Sequence, residues 1–362
     1  QGAIVPSPVA KGRIVSIDIS AALELPGVKA VVTGRDLVDP QGPIRCQAVT
    51  WGPILRDQPI LAIEEVRYVG EPVAAVVATD PRTARAAAQR VVVEIDEEPA
   101  ATDLKEAMRP DAPLVHRQAP ELSPGIYKTS LKPQFGESNV AFVYEIGDGD
   151  VEAAFASAHR VFTDTFSFPS TFHYAMEPHC AVADARHDTL TVWSTQQHPS
   201  QVQRELARLF GYPTGHVRVI APFVGGGFGG KTWPHLEPLA TALSRACGAP
   251  VKIELDVGQS MLVSRRHEAF ARVSTAVDAS GRIVAYAVEI YLDTGAYAAM
   301  GPLVMQKAAH RALGGYAFPA YRVRSHLVFT NRSPAGSARA IGGPQGAWGL
   351  EEHLNRVAAA TG

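Results

Sequence analysis

The sequence predicts an α+β protein of two domains. The chain has 362 residues, 46% of them hydrophobic, which is enough for two cores. Its first third alternates short apolar strands with short helices. Its remainder carries strands in which apolar and polar residues alternate. Between these parts, residues 119–139 are rich in Pro, Gly, Ser and Lys and lack periodicity, which reads as a linker. The expected domains are therefore residues 1–118 and 140–362.

In order along the chain, Arg13 to Ile17 and Val28 to Thr33 read as strands. Ser20 to Leu25 between them reads as a short helix ended by Pro26-Gly27. Pro72 to Ala78 is a third apolar strand. Asp80 is then an N-cap and Pro81 a first helical residue, opening an alanine-rich helix along Arg82 to Arg90. Val91 to Ile95 returns as a strand. In the second part, Asp150 caps a helix and Arg160 to Phe168 alternates as a strand. Pro199 to Leu209 is helical, and Val217 to Val224 reads as strand-like. Asp278-Ala279-Ser280-Gly281 signals a hairpin between Val273–Val277 and Ile283–Tyr291. Gly346 to Ala360 closes the chain as an amphipathic helix.

Bulk properties remove several functions. A formal net charge of -2 offers no basic excess for nucleic-acid phosphates. No apolar run is long enough to span a bilayer as a helix. Cys46, Cys180 and Cys247 lie far apart and form no C-x-x-C pair, so reduced thiols and a cytoplasmic location are expected. Three thiols also cannot supply the four ligands of an iron–sulfur cluster.

The most informative segment is Gly225-Gly226-Gly227-Phe228-Gly229-Gly230-Lys231-Thr232. So bare a backbone can bring its N–H groups against a ligand's oxygen atoms. As letters it satisfies the phosphate-cradling P-loop pattern. That pattern needs a helix starting at Lys231-Thr232, and Pro234 and Pro238 work against one there. A helix starting late, near Pro234, and running through Leu236 to Arg245 fits better. The plain alternative is a turn whose glycines let two elements pack closely.

Three further segments accompany the loop: Met176-Glu177-Pro178-His179-Cys180-Ala181-Val182-Ala183, Trp193-Ser194-Thr195-Gln196-Gln197-His198-Pro199, and Ala338-Arg339-Ala340-Ile341-Gly342-Gly343-Pro344-Gln345-Gly346. In this order and spacing, over nearly the whole chain, the set resembles the molybdenum-cofactor subunit of the xanthine dehydrogenase and aldehyde oxidase family. The resemblance implies an α/β hammerhead domain over 1–118, lacking its opening strands, and the first half of a molybdopterin-binding domain over 140–362. It implies that Gln196 hydrogen-bonds an oxygen of the molybdenum centre. It also implies that the backbone at Gly227, Phe228 and Gly229 approaches the cofactor, and that Arg339 faces the substrate pocket and stabilises developing negative charge. Thr232 is a departure: xanthine-oxidising relatives carry a glutamate there, so the pocket it shapes favours other N-heterocycles or aldehydes. The Cys-Ser-Phe-Arg loop of carbon monoxide dehydrogenases is also absent. His173, His179 and His198, with Glu177, form a loose cluster better read as packed imidazoles than as metal ligands.

The implied reaction is oxidative hydroxylation with water as oxygen donor, on molybdenum–molybdopterin in its plain or cytosine-dinucleotide form. The family's catalytic glutamate, in a Gly-x-Gly-Glu setting, is not among these residues. A second molybdenum-binding chain is expected to supply it, with [2Fe-2S] and FAD on further subunits. Two other readings stay open: a P-loop nucleotide-binding protein using Gly225–Thr232, and a structural subunit that holds no cofactor.

Overall fold

The computed structural model describes residues 1–118, 131, 134 and 136–362. The expected linker, 119–139, lies mostly outside the described residues. The local signals act where they were read. The Asp80 carboxylate accepts from the N–H groups of Arg82 and Thr83, and Pro81 opens the helix Pro81–Ala88. Asp150 caps Val151–Ala156 in the same manner. Asp278 Oδ1 accepts from the amides of Ser280 and Arg282 and closes the hairpin between Ala269–Val277 and Ile283–Gly295. The strand expected over Val217 to Val224 stops at Ile220, because Pro222 has no N–H to give a ladder.

Two large sheets organise the described residues, beside a three-stranded sheet of Glu65–Val66, Gly12–Asp18 and Val92–Glu97 and two short two-stranded pairs. A five-stranded sheet runs in the order Arg160–Phe168, Ala269–Val277, Ile283–Gly295, Tyr321–Phe329, Val140–Asp148. The final helix, Gly343–Thr361, lies on it. It starts three residues before the expected Gly346, with Pro344 in the first turn, where a missing N–H costs little. His353 on this helix is fully buried, its Nδ1 2.7 Å from Asp164 and its Nε2 2.8 Å from Thr275 Oγ1.

The second sheet has seven strands: Val217–Ile220, Leu190–Ser194, Cys180–Asp184, Val251–Glu254, Gly2–Pro6, Pro72–Ala78, Val28–Thr33. Four of them come from beyond residue 140 and three from the first 80 residues. The joining strand is Gly2–Pro6, which the sequence did not announce. It runs parallel to Val251–Glu254, with Gly2 opposite Ile253, and antiparallel to Pro72–Ala78. One sheet thus crosses both sequence regions. The main core does the same: Leu37, Trp51 and Leu61 pack in one cluster with Leu206, Leu243 and Ile253. Each such aliphatic or aromatic side chain stabilises the junction by about 1.5–3 kcal/mol on burial.

Candidate active site

The glycine loop lies at the meeting of three segments. Gly225 N–H donates to Glu177 Oε2 at 2.8 Å, and Gly230 N–H turns back to Gly227 O at 2.7 Å. Phe228 takes a left-handed backbone, φ 51°, which is uncommon for a bulky residue and marks a held position. What holds it is Arg339, whose N–H donates to Phe228 O at 2.9 Å. Gly229 is required on two counts: its φ is 99°, and a Cβ there would lie 2.6 Å from Ser337 O. The amides of Gly226, Gly227 and Phe228 have no partner among the described residues.

The P-loop reading is overturned by this geometry. The next helix, Glu237–Cys247, begins five residues after Thr232, so the loop does not run straight into a helix N-terminus as a P-loop does. Lys231 is buried and donates to both Glu177 O and Glu177 Oε2. Thr232 Oγ1 donates to Gly229 O at 2.8 Å. Neither side chain is free for a phosphate or its metal.

Histidines brace the loop from behind. His179 and His235 both direct Nε2 at Gly230 O, at 3.2 and 3.0 Å, and their rings meet edge to face. A carbonyl only accepts, so both Nε2 atoms carry hydrogen. Burial drives His179 down to about 3, helped by neighbouring His235, and His235 down to about 4. His173, also lowered by burial, points Nε2 at Ser337 O at 2.8 Å. His198 is exposed, with Nδ1 3.3 Å from Gln201 Oε1.

In front of the loop is an open cleft of about 1060 Å³, lined by Gln197, Phe228, Thr232, Trp233, Met300 and Arg339 among others. It therefore gathers Phe228, Gly229, Thr232 and Arg339 as the sequence suggested, and Gly227 abuts it through Gln197. The Arg339 side chain is exposed and has no hydrogen-bond partner among the described residues, while its backbone is fixed by Phe228 and by Arg266.

Gln196 sits elsewhere. It is 3% exposed and does not line the cleft. Its amide nitrogen donates to Trp233 O and to Glu237 Oε1, each at 2.7 Å. Both partners are acceptors, so the amide orientation is fixed by chemistry and Oε1 is left as a buried acceptor without a partner. Both hydrogen bonds of the Gln196 NH₂ are made within the protein in this structure.

The next residue has the opposite arrangement. Gln197 Oε1 accepts from Gly229 N–H at 3.1 Å and Lys231 N–H at 3.3 Å, and its own N–H donates to Lys231 O at 2.7 Å. Both side-chain partners are donors, so the carbonyl faces the loop. The free NH₂ end has no partner among the described residues. A Cβ on Gly227 would collide with this side chain. Sequence reading missed Gln197, and also Glu237, whose carboxylate gathers Ser194 Oγ, Gln196 and His235 N–H. Adjacent glutamines in the Gln196-Gln197 pair were the available signal.

The unpartnered Phe228 amide and the unpartnered Gln197 NH₂ at one cleft suit a ligand rich in oxygen and poor in hydrogen. Two family models match the chain: "Molybdopterin cofactor-binding domain" over residues 133–362, and "Aldehyde oxidase and xanthine dehydrogenase, a/b hammerhead domain" over residues 1–99. The chain belongs to the aldehyde oxidase and xanthine dehydrogenase family. A probable xanthine dehydrogenase subunit from Bacillus subtilis is 33% identical over 363 residues, covering 100% of this chain and 45% of that protein. A nicotinate dehydrogenase large molybdopterin subunit of Eubacterium barkeri is 32% identical over 358 residues, covering 98% of this chain and 78% of that one. The solved aldehyde oxidoreductase of Desulfovibrio gigas superposes with a TM-score of 0.86 at 26% identity, over 99% of this chain and 38% of that one. The chain thus spans less than half the length of the Bacillus and Desulfovibrio proteins. Of this family member's described residues, no helix is long and apolar enough to cross a membrane.

Proposed function

We propose that this chain forms the part of a molybdenum hydroxylase that carries the glycine loop and one wall of the substrate pocket. The observation that carries the reading is that the Gln197 side chain, Phe228 of the glycine loop and Arg339 line a single cleft, with the Gln197 NH₂ and the Arg339 guanidinium unpartnered among the described residues. The loop amides and Gln197 hold the oxygen atoms of the molybdenum–molybdopterin cofactor, which supplies the two-electron oxidation when bound. Gly227, Phe228 and Gly229 set the loop's distance from it, and Gln196 orients Trp233 and Glu237 behind it. Arg339 neutralises negative charge that develops on the substrate.

The substrate in this reading is an N-heterocycle or an aldehyde, hydroxylated with water as oxygen donor. Thr232 brings a hydroxyl already bonded to Gly229 O rather than a carboxylate, so it offers no anchor for a cationic or strongly donating ring. Nicotinate and aldehyde in the relatives' names belong to the same chemical range. Tyr174, Met176 and Phe223 stand 65%, 93% and 95% exposed. Side chains of this kind beside a cofactor cleft suit burial under a second molybdenum-binding segment, which brings the catalytic glutamate. Iron–sulfur and FAD subunits then carry electrons away, in the cytoplasm.

The test is turnover of the native complex in ¹⁸O-labelled water with a panel of N-heterocycles and aldehydes and a dye as electron acceptor. Label in the hydroxylated product supports the proposal. Product oxygen drawn from O₂, or no oxidation across the panel, contradicts it.

A further inference from the structure

Residues of both sequence regions line a second, partly open space. It is an apolar chamber of about 740 Å³, with Trp51, Ile60, Leu236, Leu239, Leu262 and Val263 in its walls. No Asp, Glu, Lys or Arg lines it. Its polar atoms belong to Gln58, Tyr68, His235 and Gln259. His235 is neutral, since burial lowers it to about 4. Tyr68 is 4% exposed, yet its hydroxyl has no hydrogen-bond partner among the described residues. A buried tyrosine hydroxyl normally finds an acceptor. Here it is left to whatever fills the chamber.

The chamber is not isolated. Trp51, Gln58, His235 and Val263 also line a smaller cavity of about 330 Å³. That cavity in turn shares Gly229, Thr232, Trp233, Met300 and Ser337 with the cleft. The three spaces follow one another from the domain junction to the glycine loop.

We propose that the chamber is a second ligand site, taking an uncharged, flat aromatic compound with one hydrogen-bond acceptor for the Tyr68 hydroxyl. Each part of that class follows from the walls. Uncharged, because nothing there compensates a desolvated charge. Flat and apolar, because Trp51, Leu236, Leu239 and Leu262 all line the space, walls against which an aromatic ring packs well and which are typical of small-molecule pockets. An acceptor, because Tyr68 has a proton to donate. The site goes beyond the molybdenum reading and does not depend on it. Neither Gln197 nor Arg339 is among its walls.

Calorimetric titration of the native protein at neutral pH tests this with three probes of similar shape. Quinoline is uncharged with a ring acceptor, naphthalene has none, and N-methylquinolinium carries a fixed charge. Quinoline is expected to bind, naphthalene more weakly, and N-methylquinolinium not at all. Tyr68→Phe keeps the volume and is expected to weaken quinoline by about fivefold to tenfold without affecting naphthalene. Leu239→Trp projects a bulky ring into the chamber and is expected to weaken both. Equal binding of quinoline and N-methylquinolinium overturns the proposal, as does a quinoline affinity unchanged by Tyr68→Phe. Quinoline also belongs to the substrate class proposed for the cleft, so only binding that Leu239→Trp weakens is counted at the chamber, and molybdenum is measured separately.

Discussion

Lys231 Nζ lies 2.8 Å from both the backbone carbonyl and the carboxylate of Glu177, tying the end of the glycine loop to the Met176–His179 segment. The ammonium is 1% exposed and the carboxylate 34%. Burial pushes the Glu177 carboxyl up, but the Lys231 bond and charge and the Gly225 N–H outweigh it and hold it below the usual range. Glu177→Gln keeps the shape and leaves the buried ammonium without a counter-charge. The expected cost is roughly 1–3 kcal/mol, less than for a sealed pair because Glu177 meets solvent. Thermal melting checks it. The wild-type pair stabilises fully above the unfolded carboxyl value of about 4.3 and loses this contribution as pH falls through the lower folded value. In Glu177→Gln that part of the acid slope is expected to vanish.

Gly229→Ala is expected to destabilise by about 2 kcal/mol or more. The substitution demands a left-handed alanine and a Cβ 2.6 Å from Ser337 O at once. Gly248→Ala is the control: also left-handed, φ 63°, but with open space around the added carbon. Denaturant midpoints of the two variants separate the contact from the backbone strain, and equal losses contradict the close approach.

The histidine pair predicts a second acid slope. His235 folds neutral, lowered to about 4, whereas the unfolded ring takes its proton near about 6.5. Its contribution to stability is complete above the unfolded value and is lost as pH falls towards the folded one. His235→Gln can still donate to Gly230 O and does not titrate. Its stability is expected to fall less between those two pH values, with His179 and the other histidines that burial lowers, His116, His173, His267 and His353, supplying slope that remains. Stability curves across that window decide it.

Much of the fold was legible because its signals are local. Asp80-Pro81, Asp150 and Asp278–Gly281 each act on amides within four residues of themselves. The strand Gly2–Pro6 was not, since five residues with a glycine and a proline at the ends carry no period. It is a strand only because Pro72–Ala78 and Val251–Glu254 flank it. The site shows the same limit. Glycine content and the Arg339 segment marked the cleft, but the different surroundings of Gln196 and Gln197 follow from their partners. Trp233 O and Glu237 claim one amide, while the amides of Gly229 and Lys231 fix the other. Those partners lie 32 to 41 residues away.

Gln197→Glu tests the assignment. The carboxylate still accepts from Gly229 and Lys231, but it faces the cleft with a second acceptor instead of a donor. Stability is expected to change little, and cofactor retention to fall about tenfold or more through a lost charge-assisted contact. Gln196→Leu should do the reverse. It leaves Trp233 O and Glu237 short of donors and lowers stability by about 1–3 kcal/mol. Pterin fluorescence after denaturation, read beside the melting curves, distinguishes the two.

The most direct measurement is the molybdenum content of the native protein, by mass spectrometry of the metal, in wild type and in Gln197→Glu. The account predicts stoichiometric molybdenum in the wild type and its depletion in the variant. A wild-type protein that carries no molybdenum, or a variant that retains all of it, contradicts the claim that the Gln197 amide and the glycine-loop N–H groups hold this cofactor.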